Sequence, residues 1–352
     1  MIIDVVKVFA PSTVAFFIGV AITPILTHYL YQHRMWKKRA GKVAPDGQPT
    51  PIFDQLHHDR DVGTPRLGGI IIWATVGLVT LLFALIAVFY PTPVTEKLNF
   101  LSRNQTWLPL FTLIMASLIG LADDWLEISG KGRYVAGGLS FRKRLLLVTL
   151  LGILGALWFY FKLERSSIDI PFSGELSIGW LIIPFFVLIM IFLFSSSVID
   201  GLDGLAGGVM AIIFGAYTGI AFFQNQIDLA AFCAVVTGAI LAFLWFNIPP
   251  ARFYMSETGI LGLTTTLTII VFLTESVVTL PIIAFPLFAT VLGNVIQLGS
   301  KKFRQGKKVF RIAPLHHHFE AIGWSPAKIV MRYWIIGIIM AVIGMIITLI
   351  GR

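Results

Sequence analysis

Ten stretches of the chain stay apolar for about the length of a bilayer crossing, and a chain built that way has few folds open to it. They run over roughly 8–30, 69–90, 106–122, 145–162, 177–195, 206–223, 229–246, 259–276, 278–298 and 331–350. A helical crossing takes ~20 mainly apolar residues. In hydrocarbon every backbone N–H and C=O must be satisfied within its own segment, so these runs are expected as helices. Composition agrees: 57% of the 352 residues are hydrophobic, 13% are charged, and the mean hydropathy is +0.85. A water-soluble core of this size has no use for so many unbroken runs. The expected class is an all-α integral membrane protein, one polytopic domain over 1–352 with about ten transmembrane helices. The first run lacks the basic start and small-residue cleavage site of a signal peptide, so it reads as a retained span. The lone cysteine, Cys233, lies inside a run, which excludes a disulfide framework and a cysteine metal site.

Charge orients the spans. Alternate loops, at about 31–68, 123–144, 196–205, 247–258 and 299–330, together with Arg332 just beyond the last of them, hold 21 of the 27 lysines and arginines. The positive-inside rule puts that side in the cytoplasm and both termini outside. The net charge of +9 is then mostly topological. It also suits anionic lipids and phosphorylated substrates, and no nucleic-acid partner is expected. On the other side, 163–177 (KLERSSIDIPFSGEL) alternates Ile168, Ile170 and Phe172 before Ser173-Gly174, the pattern of a short external β-hairpin.

The acids are the informative residues. Asp123 and Asp124 close the third run in GLADDWLEI, Asp200 and Asp203 lie in SSSVIDGLDGLAGG, and Glu257 lies in ARFYMSETGIL. All five fall at cytoplasmic span ends. One such acid is as readily an N-cap or a solvated end. Acids beside apolar helices are costly without partners, so five on one face point to a site. The spacing of Asp200 and Asp203 would put both on one face of a helical turn. Converging carboxylates suit a hard cation such as Mg²⁺, which takes few protein oxygens and keeps phosphate oxygens as ligands. Basic residues in the same loops suit an anionic diphosphate.

Two further motifs sit in these loops. Gly63-Thr64-Pro65-Arg66-Leu67-Gly68-Gly69 opens the second run, either as a phosphate-approaching turn or as a close-packed helix start. It lacks the Gly-Lys-Ser/Thr ending of a nucleotide P-loop. The stretch 311–324, RIAPLHHHFEAIGW, carries His316, His317 and His318 just before Glu320. On a helix successive residues point about 100° apart, so three adjacent rings cannot face one ion. With Lys307, Lys308 and Arg311 nearby, an anion-facing lid fits better, one ring being oriented by Glu320.

In this order the motifs resemble the polyprenyl-phosphate N-acetylhexosamine-1-phosphate transferases over nearly the whole chain. They are His58 with GTPRLGG, ADDW, IDGLDGLAGG, FLWFNIPPA, MSETG and FRIAPLHHHFEAIGW. The histidine motif is similar to that of the branch acting on muramoyl-peptide donors. The resemblance implies ten spans with both ends outside, in the bacterial cytoplasmic membrane, and an active site at the cytoplasmic face. It implies Mg²⁺, UDP-N-acetylmuramoyl-pentapeptide as donor, undecaprenyl phosphate as acceptor, and lipid I with UMP as products. By the same resemblance Asp123, Asp124 and Asp200 are catalytic and Glu257 and Asp200 hold metal. Asp203, Asn247, His316, His317, His318, Arg66 and His58 are assigned to substrate binding. For Asn247 a capping role stands equally open. A homodimer is compatible with the sequence, which does not set the oligomeric state.

The chain departs from the family pattern in five places. Glu257 stands for Asp, Ser197 for Asn, Glu127 for a Lys after the Asp pair, Asp61 for a Lys before Gly-Thr-Pro, and Arg66-Leu67 for Thr-Met. Arg66-Leu67 favours a sister enzyme that transfers N-acetylglucosamine-1-phosphate or a related sugar phosphate; the histidine motif opposes it. A transporter is the alternative from another class. Against it, the acids lie at one membrane face instead of the midplane, and the halves show no inverted repeat.

Overall fold

The computed structural model describes residues 2–38, 62–130 and 138–352. Nine helices among the described residues are long and apolar enough to cross a bilayer. They are α1 (Ile2–Gln32), α2 (Ile70–Phe89), α3 (Trp107–Ser129), α4 (Phe141–Leu157, continued to Lys162 by a π turn), α5 (Ile182–Ser195), α6 (Leu205–Phe223), α7 (Ile227–Asn247), α8 (Ser256–Leu273) and, after a further helix α9 (Phe285–Phe303), α10 (Pro326–Ile350). The chain is thus a multi-pass, all-α membrane protein.

The run at 278–298 is the exception. It forms a short helix, Leu280–Ile283, and then α9, with Pro281 and Pro286 in the two first turns. Proline has no N–H to continue a helix, so the chain breaks between them at Ala284. α9 also carries Asn294, Gln297 and the pair Lys301-Lys302, which dilute its apolar character. The segment still passes from end to end of the bundle. Thr279 hydrogen-bonds Thr348 at 2.6 Å near the far end of α10. Gln297 binds the backbone of Val309 and Phe310 at the end where the basic loops gather.

The helices alternate between that basic end and the opposite end. At the opposite end Lys7 pairs with Asp228, Gln226 donates to the Leu273 carbonyl, and Arg352 meets Glu275. The expected hairpin is there too: β1 (Ser167–Ile170) pairs antiparallel with β2 (Gly174–Ser177), Ser167 opposite Ser177.

α8 is the axis. Of its span 89% is buried, against 28% for α10. α3 runs along α8, α1 along α7, and α6 between α7 and α10. A helix sunk this deep must satisfy its polar side chains internally. Thr264 and Thr265 return their hydroxyls to the carbonyls of Ile260 and Leu261 at 2.9 and 2.7 Å. Close approach comes from small residues, since lipid gives helices little hydrophobic reason to associate. Gly120 of α3 lies on the Glu257 carbonyl, and Gly69 before α2 lies on the Gly259 backbone. Gly120→Ala places a methyl into that backbone and is expected to cost about 1–3 kcal/mol. Gly77→Ala, which faces open space, leaves stability unchanged. Thermal unfolding of the detergent-solubilised variants checks both.

Candidate active site

The first turn of α8 faces the basic end, and its N–H groups have no acceptors inside the helix. Carboxylates from two other elements take them. Ser256 N–H donates to Asp200 Oδ2 at 2.8 Å, and Thr258 donates to Asp124 Oδ2 through N–H at 2.8 Å and hydroxyl at 2.5 Å. A helix N-terminus favours negative charge, so it stabilises two acids that would otherwise be costly here. Ser256 has φ +56°, a conformation disfavoured for a residue with a side chain. The bond to Asp200 and the neighbouring Gly69 N–H···Met255 carbonyl bond of 3.2 Å hold the chain in it.

Asp123 and Asp124 are 5% and 0% exposed, so their partners decide whether they are tolerable. Asp123 accepts a short bond from Leu139 N–H and lies 3.4 Å from Arg144 Nη1. The same Arg144 nitrogen makes a closer ion pair with Glu257 Oε1. Arg144 therefore bridges α3 and α8 from α4. A turn further along α3, Glu127 receives Lys37 at 3.1 Å and Arg66 at 2.5 Å. Two buried oxygens, Asp124 Oδ1 and Glu257 Oε2, have no hydrogen-bond partner among the described residues.

The helical reading of Asp200 and Asp203 is corrected. Residues 200–204 form turns between the 3₁₀ segment Ser196–Ile199 and α6. The two acids still aim at one segment, because Asp203 accepts from Ala251 N–H at 3.2 Å, five residues before Ser256. Asn247, at the end of α7, ties the turn before α6 to the loop before α8. It is 4% exposed, accepts from Gly204 N–H and donates to the Phe253 carbonyl, each at 2.9 Å. Asp123 and Asp124 are likewise inside a helix, not in a loop beginning at 123. α3 runs on to Ser129 and ends at Gly130, whose φ is +65°.

The histidine triplet lies on the short helix Leu315–Ala321 and divides. His316 and His317 are buried, with ring centroids 4.3 Å apart, and both face Gly201 beside Asp200, where a Cβ would overlap His316. His317 Nδ1 meets Glu320 at 2.6 Å, the orienting contact expected. His318 turns away to Phe310 and accepts the Arg311 N–H at Nδ1, 3.2 Å. Burial first, and then Arg311, hold its pKa below the ordinary histidine value, which suits an accepting ring. His58 and Asp61 lie outside the described residues. GTPRLGG is a close-packed helix start: Gly68 N–H bonds Tyr254 C=O at 2.9 Å and Tyr254 N–H bonds Pro65 C=O at 2.9 Å.

A groove of about 520 Å³ between α1, α2 and α3 is lined by Leu26, Leu30, Met35, Leu67, Leu121 and Trp125 among others. It is almost wholly apolar and opens on the face of α3 away from Asp123 and Asp124, so it is no part of this cluster.

Sequence reasoning missed Arg144, which it counted only as loop charge, and Ser256 and Thr258. The flanks of Glu257 in MSETG were the available signal, since a Thr one residue beyond an acid at a helix start can serve both its own N–H and its hydroxyl. Comparison with known proteins agrees with the architecture. Residues 106–275 match glycosyl transferase family 4. A phospho-N-acetylmuramoyl-pentapeptide-transferase of Chloroflexus aggregans is 32% identical, covering 99% of this chain and 91% of the relative. Proteins of the same name from a Geobacillus species and from Bacillus mycoides are 36% and 34% identical over 82% and 94% of the chain. A bundle of this kind, with acids gathered at one membrane end and this match, is a polytopic membrane transferase. More narrowly, the chain belongs to the phospho-N-acetylmuramoyl-pentapeptide-transferase family.

Thr258→Val keeps the N–H donor to Asp124 and removes the hydroxyl. It is expected to lower stability by about 1–3 kcal/mol, whereas Thr258→Ser stays close to wild type. Melting in detergent distinguishes the two.

Proposed function

We propose that this chain transfers phospho-N-acetylmuramoyl-pentapeptide from its UDP-linked donor to undecaprenyl phosphate, in the bacterial cytoplasmic membrane with the basic end inside. The products are UMP and lipid I. The observation that carries the reading is the gathering of Asp123, Asp124, Asp200 and Glu257 around the first turn of α8, with Arg144 among them.

The acceptor needs little activation. A phosphate monoester has a second pKa near ~6, so the lipid phosphate is largely a dianion at neutral pH. One of its oxygens attacks the sugar-linked phosphorus of the donor in line. A new P–O–P bond forms, the bond from that phosphorus to the bridging oxygen breaks, and UMP leaves with the electron pair. The obstacle is repulsion between two anions, which basic side chains and positioning remove. Arg144, already held between Asp123 and Glu257, is placed to meet that charge. A covalent aspartyl-phosphate route is less suited to these acids. Asp124 Oδ2 already takes two hydrogen bonds, and Asp123 takes one from Leu139 N–H besides its pairing with Arg144. Trapping phosphate on Asp123 or Asp124 would overturn the one-step route.

The residues fit Mg²⁺. Among the described residues no three acids, histidines or cysteines form a cage, but Mg²⁺ commonly takes one or two carboxylates and completes its shell with phosphate oxygens and water. Glu257 Oε2 and Asp124 Oδ1 are buried oxygens with no hydrogen-bond partner among the described residues, and Asp200 adds a third carboxylate close by. When bound, the ion would neutralise charge on the donor diphosphate. His316 and His317 would donate to the sugar, the peptide carboxylate or a phosphate, with His318 at the margin, and the family resemblance assigns His58 to substrate binding as well. Arg66 would meet the diphosphate. Asp203 and Asn247 would act by holding the 248–255 loop.

The test is UMP release by purified protein given undecaprenyl phosphate, Mg²⁺ and UDP-N-acetylmuramoyl-pentapeptide. Release is expected with this donor and is lost on chelation. Release only with UDP-N-acetylglucosamine would instead identify the sister enzyme. In the same assay Glu257→Ala should fall by roughly a hundredfold or more while Glu257→Asp stays within about tenfold of wild type. A fully active Ala variant would remove Glu257 from the metal site.

A further inference from the structure

At the basic end of the bundle two cations share one indole. Lys328 Nζ lies 4.8 Å, and the Arg332 guanidinium carbon 4.3 Å, from the centre of the Trp324 ring. Phe319 stacks on that ring at 4.8 Å and 18°, which leaves the other face to the cations. Both cationic side chains are exposed, and neither has an acidic partner among the described residues. The chain from 321 to 352 contains no Asp or Glu at all.

Within α10 this arrangement is unfavourable. Lys328 and Arg332 are four residues apart, so they adjoin on the helix surface and repel each other. They lie in the first two turns, where the macrodipole is positive and a cation is disfavoured. The indole face attracts both cations but does not neutralise them. An anion between them would, and it would meet two charged donors already brought together.

The surface beside the cations indicates which anion. Ile335, Ile339, Ile343 and Ile346 continue the same side of α10 at spacings of three and four, and all are exposed. Two cations at the basic end of an apolar stripe match a lipid with an anionic headgroup and long chains. The indole, backed by Phe319, separates the cations from the short histidine helix. The lipid is therefore one of the bilayer and not the reacting acceptor. We infer that Lys328, Arg332 and Trp324 form a binding site for the headgroup phosphate of an anionic phospholipid in the leaflet at the basic end, its chains lying along α10. Binding there needs neither donor nor acceptor, so the inference is independent of the proposed transfer.

The experiment is native mass spectrometry of the full chain in detergent, titrated with phosphatidylglycerol or with phosphatidylcholine carrying the same chains. Wild type should retain the first phosphatidylglycerol roughly tenfold more tightly than phosphatidylcholine. Lys328→Gln and Arg332→Gln together should abolish that preference, and each alone should reduce it several-fold. Both positions are exposed, so these variants should elute and melt as wild type does. Arg142→Gln with Lys143→Gln removes the same charge from exposed positions at the same end, at the start of α4, and should leave the preference intact. Equal retention of the two lipids by wild type would overturn the inference. So would a preference that survives loss of both Lys328 and Arg332, or one that falls as far with the Arg142 and Lys143 pair, the mark of general surface charge. Retention of undecaprenyl phosphate in place of phosphatidylglycerol, dependent on Lys328 and Arg332, would give the site to the reacting lipid and overturn the inference as well.

Discussion

The first turn of α8 is the constraint on which the basic end depends. Asp124 and Asp200 arrive from α3 and from the turn before α6, and both complete their bonding on N–H groups of Ser256 and Thr258. Withdrawing α8 would leave carboxylates in a water-poor place and N–H groups without acceptors, each a loss of about 1–3 kcal/mol or more. The long burial of α8 and the close approach of Gly120 and Gly69 therefore serve the site as much as the fold. They set the distance at which α3 can offer its acids to the helix terminus.

Acids packed this closely need cations, and the basic loops supply them. Arg144 opens α4, Arg66 precedes α2 and Lys37 follows α1, all at one end. The positive excess that orients the chain in a bilayer is thus partly the charge that neutralises its site. Glu127 is an exception in sign only. It sits between two cations, Lys37 and Arg66.

Much of this was legible beforehand. Nine of the ten expected spans, the hairpin after α4, the gathering of acids at one end and the pairing of Glu320 with a histidine all follow from the sequence. The misreadings have physical causes. The run at 278–298 is apolar enough by inspection, but two prolines interrupt its hydrogen-bond ladder. Asp123 and Asp124 look like a span end because they stop the apolar run, yet α3 continues past them on bonds to α8 and Arg144. Asp200 and Asp203 have helical spacing without a helix. Two histidines of the triplet converge on the space that Gly201 leaves open, and the third turns to Phe310.

By itself the sequence determined where the long apolar helices lie, in what order they follow, and which end collects charge. These follow from the transfer free energy of each segment, which depends on local composition alone. Only the tertiary structure decided which charges neutralise which. Arg144 and Glu257 are 113 residues apart, and Asp124 and Thr258 are 134 apart. No local rule relates such pairs, because their energy depends on distance and burial, and both are set by how α3, α4 and α8 pack.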